Sequence, residues 1–354
     1  MNDYDIDPGV PEAIERFKLP ESLGFGLVNA PVMFEAEWRD GRWERGRLKP
    51  YGRIELWPGA RALHYGELVF EGLKAYRVGQ PRPNLFRPDA NCRRLQRSAS
   101  RLSMPQVPEA LFFQGISSVA HACSAIMPTQ SGRSLYLRPF LFGTESGYML
   151  RNSRTFCFMV IANPVESYAS GSMQVVIERT EVRAAVGGVG EAKASANYAA
   201  SLRASNAAVE QGRTVALWLD GNEHRYLQEL SGMNLFAVLD GELHTPELDG
   251  AILPGITRDS LLVLARSLGY PVHERRIALD EVLEGIDSGR CGELFACGTA
   301  AIVAPIAMLA EREGREYKLR HTDVVAKHLR ESLLAIQERR APDPFGWTRE
   351  LAPD

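Results

Sequence analysis

VRAAVGGVGEAKASANYAASLRAS, Val182 to Ser205, sets a single lysine, Lys193, among glycines, alanines and serines. Two phosphate-binding patterns can be tried on it. A P-loop needs G-x-x-x-x-G-K followed by Ser or Thr, the hydroxyl being the magnesium ligand. Here Lys193 lies between Ala192 and Ala194, so neither flank fits. A dinucleotide fingerprint needs G-x-G-x-x-G/A between a strand and a helix. Gly188-Val189-Gly190-Glu191-Ala192 begins that pattern after a candidate strand at Val175 to Glu178, but Lys193 stands at its last position. Taken alone, the stretch reads as a glycine turn bearing a solvated lysine, as most lysines are.

Bulk properties narrow the field. A length of 354 residues suggests about two domains. Hydrophobic content of 45% and charged content of 24% are ordinary for a globular protein. The net charge is -3, with both signs interspersed, so no basic face is offered to nucleic acid. The densest basic cluster, Arg93 to Arg101, reads as a helix face with Arg93 and Arg97 in solvent. Five cysteines, at 92, 123, 157, 291 and 297, form no C-x-x-C pair and no Cys/His set with zinc spacing. The expectation is a reduced, cytoplasmic protein without a metal site. The polar, acidic start does not read as a signal peptide, and no apolar run is long enough to span a bilayer.

Turn chemistry recurs at Asp40-Gly41, Asp220-Gly221-Asn222 and Asp240-Gly241, each between apolar or aromatic arms. Helical periodicity appears in DANCRRLQRSASRL, PEALFFQGISSVAHACSAI, SANYAASLRASNAAVEQG, TRDSLLVLARSLG and DVVAKHLRESLLAIQE. Strands and helices mix without steady alternation, which predicts an α+β fold, not a doubly wound parallel sheet. The stretch from Asn163 to Met173 carries Pro, Gly and small polar residues between two apolar runs, TFCFMVIA and MQVVIE. It predicts an N-terminal domain over 1–165, a linker over 166–173 and a C-terminal domain over 174–354.

A desolvated lysine amine is a nucleophile suited to Schiff-base chemistry. Its usual aldehyde partner, pyridoxal phosphate, needs a phosphate cup, a carboxylate for the pyridine nitrogen and a donor for the phenolate oxygen. ILPGITRDSLLVLARSLG, Ile252 to Gly269, offers Pro254-Gly255 as a turn and then a helix whose first-turn amides suit an anion. CGTAA, Cys297 to Ala301, offers a second set of amides. Glu229 in RYLQELSGMNLFAV is the carboxylate candidate, and Tyr198 is the phenolate donor candidate. Singly, each has an ordinary alternative: a capped helix, a strand-end carboxylate, a half-buried aromatic.

Together and in order, HYGELVFEGLKAYR, LYLRPFLFGTE, GGVGEAKASANYAAS, ELSGMNLF, LPGITRDSLL and CGTAA resemble the branched-chain amino-acid aminotransferases. These are class IV (fold type IV) pyridoxal-phosphate enzymes. The resemblance runs from about Phe25 to at least Ala304. It implies a two-domain architecture, with a smaller α/β N-terminal domain, a larger C-terminal domain and the cofactor at their interface. It also implies a homodimer that acts on amino acids and 2-oxo acids, to which Tyr65 and the loop near Tyr148 would contribute across the interface.

Carried over residue by residue, Lys193 falls on the Schiff-base lysine and Tyr198 on the tyrosine that bonds the phenolate oxygen. Glu229 falls on the pyridine-nitrogen carboxylate. Arg94 falls on a phosphate-binding arginine, alongside Ile256, Thr257 and Thr299. Arg183 lies where the family has a further active-site arginine. Ala300 and Tyr136 resemble part of the substrate-carboxylate site, and Phe25, Tyr65, Phe70 and Tyr168 the aromatic wall. Arg138 resembles the arginine that meets the distal carboxylate of glutamate. The implied reaction is transamination of Leu, Ile or Val with 2-oxoglutarate. The small residues around Lys193 then leave room for a planar cofactor and a swinging amine.

Three departures stand out. Animal members carry a C-x-x-C pair after the Gly-Thr turn, where this chain has Ala301 and Ala304. The common GGNY reads SANY here. Near ELSG, where the family often has Thr or a Gly-Glu pair, this chain has Ser231-Gly232. Relatives on the same fold, the D-amino-acid aminotransferases and aminodeoxychorismate lyases, share the lysine and the glutamate but fit the FEGLKAYR and YLRP blocks less well. An NAD-binding oxidoreductase built on Gly188 and Gly190, or a catalytically silent cofactor-binding protein, remains as an alternative of another class.

Overall fold

The computed structural model describes residues 4–166, 171–319 and 323–351. The chain divides into two compact units. One takes the chain to Tyr168, together with Ala192–Ser195 and Ala335–Asp354; the other takes Ala169–Glu191 and Ala196–Leu334.

The first unit is built on a ten-stranded, mainly antiparallel sheet. Its longest pair is Ser134–Gly143 against Phe156–Val165, in register from Ser134↔Val165 to Gly143↔Phe156. Side chains alternate across a strand, so Phe34 and Phe158 point to one face and Met33 and Met159 to the other. The first face takes the helices Pro88–Arg101 and Glu109–Ala122, and Phe34, Phe112, Phe158, Leu95 and Ile116 form its buried core. Met33, Phe142, Cys157 and Met159 make a smaller cluster on the second. Asp40 and Gly41 both take positive φ, 50° and 76°, as their two-residue hairpin requires.

Two pieces of this unit come from beyond the linker expected at 166–173. Ala192–Ser195 is held by the Val69↔Ala194 bridge and by the Phe70 amide, which donates to the Lys193 carbonyl at 3.0 Å. The C-terminal strand Thr348–Glu350 pairs with Asn84–Phe86. A single cut of the chain does not capture this division, because strand pairing and core burial, not sequence proximity, define a unit.

In the second unit six strands close on themselves. Met173–Glu178 lies parallel to both Val215–Leu219 and Ile302–Ala310. The ring continues antiparallel through Leu227–Leu230, Met233–Leu239 and Cys291–Gly298, back to Ile302–Ala310. Closure leaves no open edge among these strands. Leu217, Leu219, Leu235, Ala237, Leu294 and Ala296 share one core, while Ala216 and Trp218, on alternate positions, pack with Ala204 of the helix Ser195–Glu210. Outside the ring, Glu242–Pro246 adds to Met233–Leu239, and Val272–Arg275 adds to Glu242–Pro246. The Asp240-Gly241 hairpin has φ of 52° and 83°. Asp220 forms a longer turn, its carboxylate accepting the amides of Asn222, Glu223, Arg225 and Tyr226.

The five helices expected from periodicity are present, at Pro88–Arg101, Glu109–Ala122, Ser195–Glu210, Ile256–Ser267 and Val324–Gln337. Among the described residues no helix is long and apolar enough to cross a membrane.

Candidate active site

In the first unit, Lys193 precedes the helix Ser195–Glu210, and its amide donates to Ser98 Oγ at 2.9 Å. The flanking Ala192 and Ala194 are buried, 4% and 0% exposed, so the backbone is pinned on both sides while the side chain stays half-buried. Lys193 Nζ lies 4.8 Å from the centroid of the Phe70 ring. The Arg138 guanidinium lies 4.6 Å from the same centroid, and Arg138 Nη2 donates to the Tyr136 hydroxyl at 3.0 Å. Phe25 meets Tyr136 edge-on at 5.0 Å. Phe25, Phe70, Tyr136, Arg138 and Lys193 thus cluster through direct contacts. Gly72 explains part of the FEG motif, since a Cβ there would fall 2.0 Å from the Tyr136 hydroxyl. Tyr65 stands more exposed, its hydroxyl donating to the Tyr148 carbonyl at 2.5 Å. Tyr168 lies outside the described residues.

Arg94 is 4% exposed, whereas Arg93 and Arg97 face solvent, as expected for one helix with a wet and a dry side. Its Nε and Nη2 donate to the two oxygens of Glu71 at 2.7 and 2.9 Å, a bidentate pair. Glu71 is fully buried and also accepts from Asn91 Nδ2 at 2.7 Å. Burial pushes its carboxyl upward, but Arg94, Lys193 and Asn91 together hold it below the usual range. Glu71, Asn91 and Ser98 were not singled out from the sequence. Glu71 sits inside the quoted FEGLKAYR block; Asn91 and Ser98 become legible only when the helix Pro88–Arg101 is docked on the sheet.

In the second unit, Glu229 lies within the strand Leu227–Leu230 and is 3% exposed, so it is no surface strand-end residue. Arg183 Nη2 lies 2.6 Å from its Oε1, Asn234 Nδ2 donates to its Oε2 at 3.0 Å, and the Leu253 amide donates to Oε1 at 3.2 Å. Asn234 is held in turn by the Leu253 carbonyl at 3.0 Å. Gly255 is required beside it, because a Cβ would sit 2.0 Å from Asn234 Oδ1. Arg183 Nη2 also donates to the Ala251 carbonyl at 2.5 Å, while its Nε is buried without a partner.

Gly255 is the N-cap of the helix Ile256–Ser267 and no side chain caps it, with Thr257 buried in the first turn. Thr299 and Ala300 lie in the turn between Cys291–Gly298 and Ile302–Ala310. Tyr198 lies in the first turn of Ser195–Glu210, and a Cβ on Gly232 would come within 3.9 Å of its ring. Asn234, the partner of Glu229, is not singled out by the sequence; it stands in the quoted ELSGMNLF block, directly opposite Glu229 in the strand register.

Comparison with known proteins adds an independent line. The family model described as amino-transferase class IV matches residues 68–309. Branched-chain-amino-acid transaminase 1 of Bacillus subtilis (strain 168) is 41% identical over 339 residues, 94% of this chain and 95% of the relative. The branched-chain-amino-acid aminotransferase of Mycobacterium tuberculosis (strain ATCC 25618 / H37Rv) is 42% identical over 349 residues, 95% of this chain and 94% of the relative. Among solved structures, the branched-chain aminotransferase of Thermoproteus uzoniensis with norvaline superposes with a TM-score of 0.74 at 25% identity, covering 90% of this chain and 99% of that one. The branched-chain amino acid aminotransferase of T.th. with pyridoxamine 5'-phosphate gives a TM-score of 0.73 at 31% identity, covering 90% and 98%.

Proposed function

This chain belongs to the class IV aminotransferases, and from that premise we propose that it transfers the amino group of a branched-chain L-amino acid to 2-oxoglutarate, giving the 2-oxo acid and L-glutamate. The observation that carries the reading is the end-to-end similarity to branched-chain enzymes. The cofactor of the family is pyridoxal phosphate, and the residues present fit it. The uncapped helix start at Gly255 suits a phosphate. The orphaned Nε atoms of Arg183 and Arg138 are donors that suit anionic ligands.

In this reading Arg94, Ile256, Thr257 and Thr299 hold the phosphate, and Tyr198 donates to the phenolate oxygen. Arg183 and Asn234 keep Glu229 ionised and aimed, so that Glu229 holds a proton on the pyridine nitrogen. When bound, the cofactor supplies the electron sink that makes the substrate Cα–H acidic. Lys193 supplies the amine that anchors the cofactor, and afterwards moves the proton between Cα and C4′. Tyr136 and Ala300 take the α-carboxylate. By resemblance, Phe25, Tyr65, Phe70 and Tyr168 are the residues that would meet an aliphatic side chain, whose burial is worth ~1.5–3 kcal/mol. Arg138, set against Phe70 and Tyr136, meets the distal carboxylate of glutamate.

We also propose a homodimer in the reducing cytoplasm. Trp57, Leu63, Tyr148, Met149 and Leu150 are exposed apolar residues of the first unit, more than a lone surface needs, and a second copy would cover them. All five cysteines are free and buried, as suits a reducing compartment.

The test is a panel of amino donors with 2-oxoglutarate, with glutamate release as the readout. Leu, Ile and Val should lead. A preference for D-alanine would move the chain to the D-amino-acid branch of the fold, and release of pyruvate from aminodeoxychorismate would move it to the lyases.

A further inference from the structure

The strands Glu242–Pro246 and Val272–Arg275 run parallel, and His244 stands directly across from His273. Their rings stack, with centroids 4.8 Å apart and planes 20° from parallel. Strand alternation places Glu242, two residues before His244, on the same face. Glu242 Oε2 lies 2.8 Å from His273 Nε2. One ligand-capable atom from each of the three residues lies within 4.8 Å of the others. No sequence spacing announces the trio, because Glu242 and His273 are 31 positions apart and only strand pairing joins them.

We propose that Glu242, His244 and His273 bind a first-row divalent transition-metal ion, with Zn2+ the expected occupant. Two imidazoles and one carboxylate suit Zn2+, Ni2+ or Cu2+ and not Mg2+ or Ca2+, which prefer all-oxygen shells. Tetrahedral zinc holds its ligand atoms about 3.3 Å apart, closer than the full spread of this trio. The difference is within reach of side-chain rotation. The side chains of His273 and Glu242 are 45% and 47% exposed and free to swing, while His244 is 8% exposed and provides the fixed point.

Arg275 tempers the site and sets its expected strength. Its Nη1 and Nη2 are matched by Glu281 at 3.0 and 2.6 Å, so its charge is neutralised locally. Its Nε donates to His244 Nδ1 at 3.1 Å, which requires a lone pair there and so a neutral ring. Coordination through either ring nitrogen breaks the Arg275 hydrogen bond. Affinity in the micromolar range, not the nanomolar range of closed zinc sites, follows.

The test uses untagged holoenzyme stripped of metal and excess cofactor, titrated with Zn2+ by calorimetry, with Mg2+ as the control. One ion per chain is expected, with no Mg2+ binding and a rise in melting temperature on Zn2+ addition. His273→Ala and Glu242→Gln should each weaken Zn2+ binding roughly tenfold or more. Both side chains are nearly half exposed, so the metal-free melting temperature and the transamination rate should stay at wild-type values. Absence of stoichiometric binding to the wild type overturns the proposal. So does binding that persists unchanged in His273→Ala, which would put the ion on other groups.

Discussion

Arg183 and Glu229 form a buried ion pair at 2.6 Å, with Asn234 and the Leu253 amide completing the carboxylate's shell. Those partners offset the desolvation that a buried carboxylate suffers. Glu229→Gln keeps the shape and removes the charge. Cofactor affinity should change little, while kcat for leucine should fall roughly a hundredfold or more, ~2.7 kcal/mol of barrier. Stopped-flow rates at saturating cofactor check this; an undiminished rate removes Glu229 from the chemistry. Arg183→Met should instead lower stability by ~3–5 kcal/mol, because it strands the buried carboxylate.

Lys193 is pinned through its backbone to Ser98 and Phe70 while its amine lies against the Phe70 ring. Lys193→Ala should therefore fold normally but lose the yellow colour of the bound cofactor and the adduct trapped by borohydride. Peptide mass mapping of wild type should place that adduct on Lys193. An adduct on Lys74 or Lys318 would refute the assignment.

Local chemistry in this chain was readable from sequence where it depends on near neighbours. Asp40-Gly41 and Asp240-Gly241 take positive φ whatever surrounds them. The helix Ile256–Ser267 follows from Pro254-Gly255 and its apolar spacing. Arg94 was told apart from Arg93 through the family blocks, and burial agrees. Distant pairing was not readable. Nothing near Met173–Glu178 signals that it lies parallel to strands on both sides and closes a ring. Nor does the C-terminal TRE signal a strand beside Asn84–Phe86. Glu71 carried no mark of its own, since its role is set by Arg94 and Asn91 across a helix–sheet contact.

The thiols offer a separate check. Burial pushes Cys92 up to about 11, and Cys123, Cys157 and Cys291 up to about 12. Thiolate is the reactive form, so a disulfide reagent should label the native enzyme slowly and all five cysteines promptly in guanidinium. Ala301 and Ala304 stand where the resemblance would place a C-x-x-C pair. Mild peroxide should accordingly leave transamination intact. Rapid, thiol-reversible inactivation would contradict this.

Glu145 provides a pH signature. Hydrogen bonds from Arg151, at 2.6 and 2.9 Å, hold its carboxyl near pKa 2, with the Arg154 amide and the Arg151 and Arg61 charges adding to them. A depressed carboxylate pKa adds stability above the ordinary value and loses it as pH falls toward the depressed one. Glu145→Gln should melt below wild type at neutral pH, and the gap should shrink between about pH 4.5 and pH 2. A gap constant with pH would mean that packing, not charge, sets the effect.

Arg138 separates specificity from scaffolding. Its guanidinium lies against Phe70 and Tyr136, and its Nε is buried without a partner, as a donor awaiting an anion would be. A leucine side chain has no use for that charge, whereas the distal carboxylate of glutamate does. Arg138→Met should therefore slow the glutamate half-reaction far more than the leucine half-reaction. Loss of an exposed pair costs under ~1 kcal/mol, whereas loss of a desolvated, hydrogen-bonded pair costs ~2–5 kcal/mol, or roughly 30-fold to several-thousand-fold in rate. Single-turnover rates for each half-reaction, followed through the cofactor absorbance, read the difference directly. If Arg138 only braces its strand through Tyr136, both half-reactions fall together, and the specificity role fails while transamination stands.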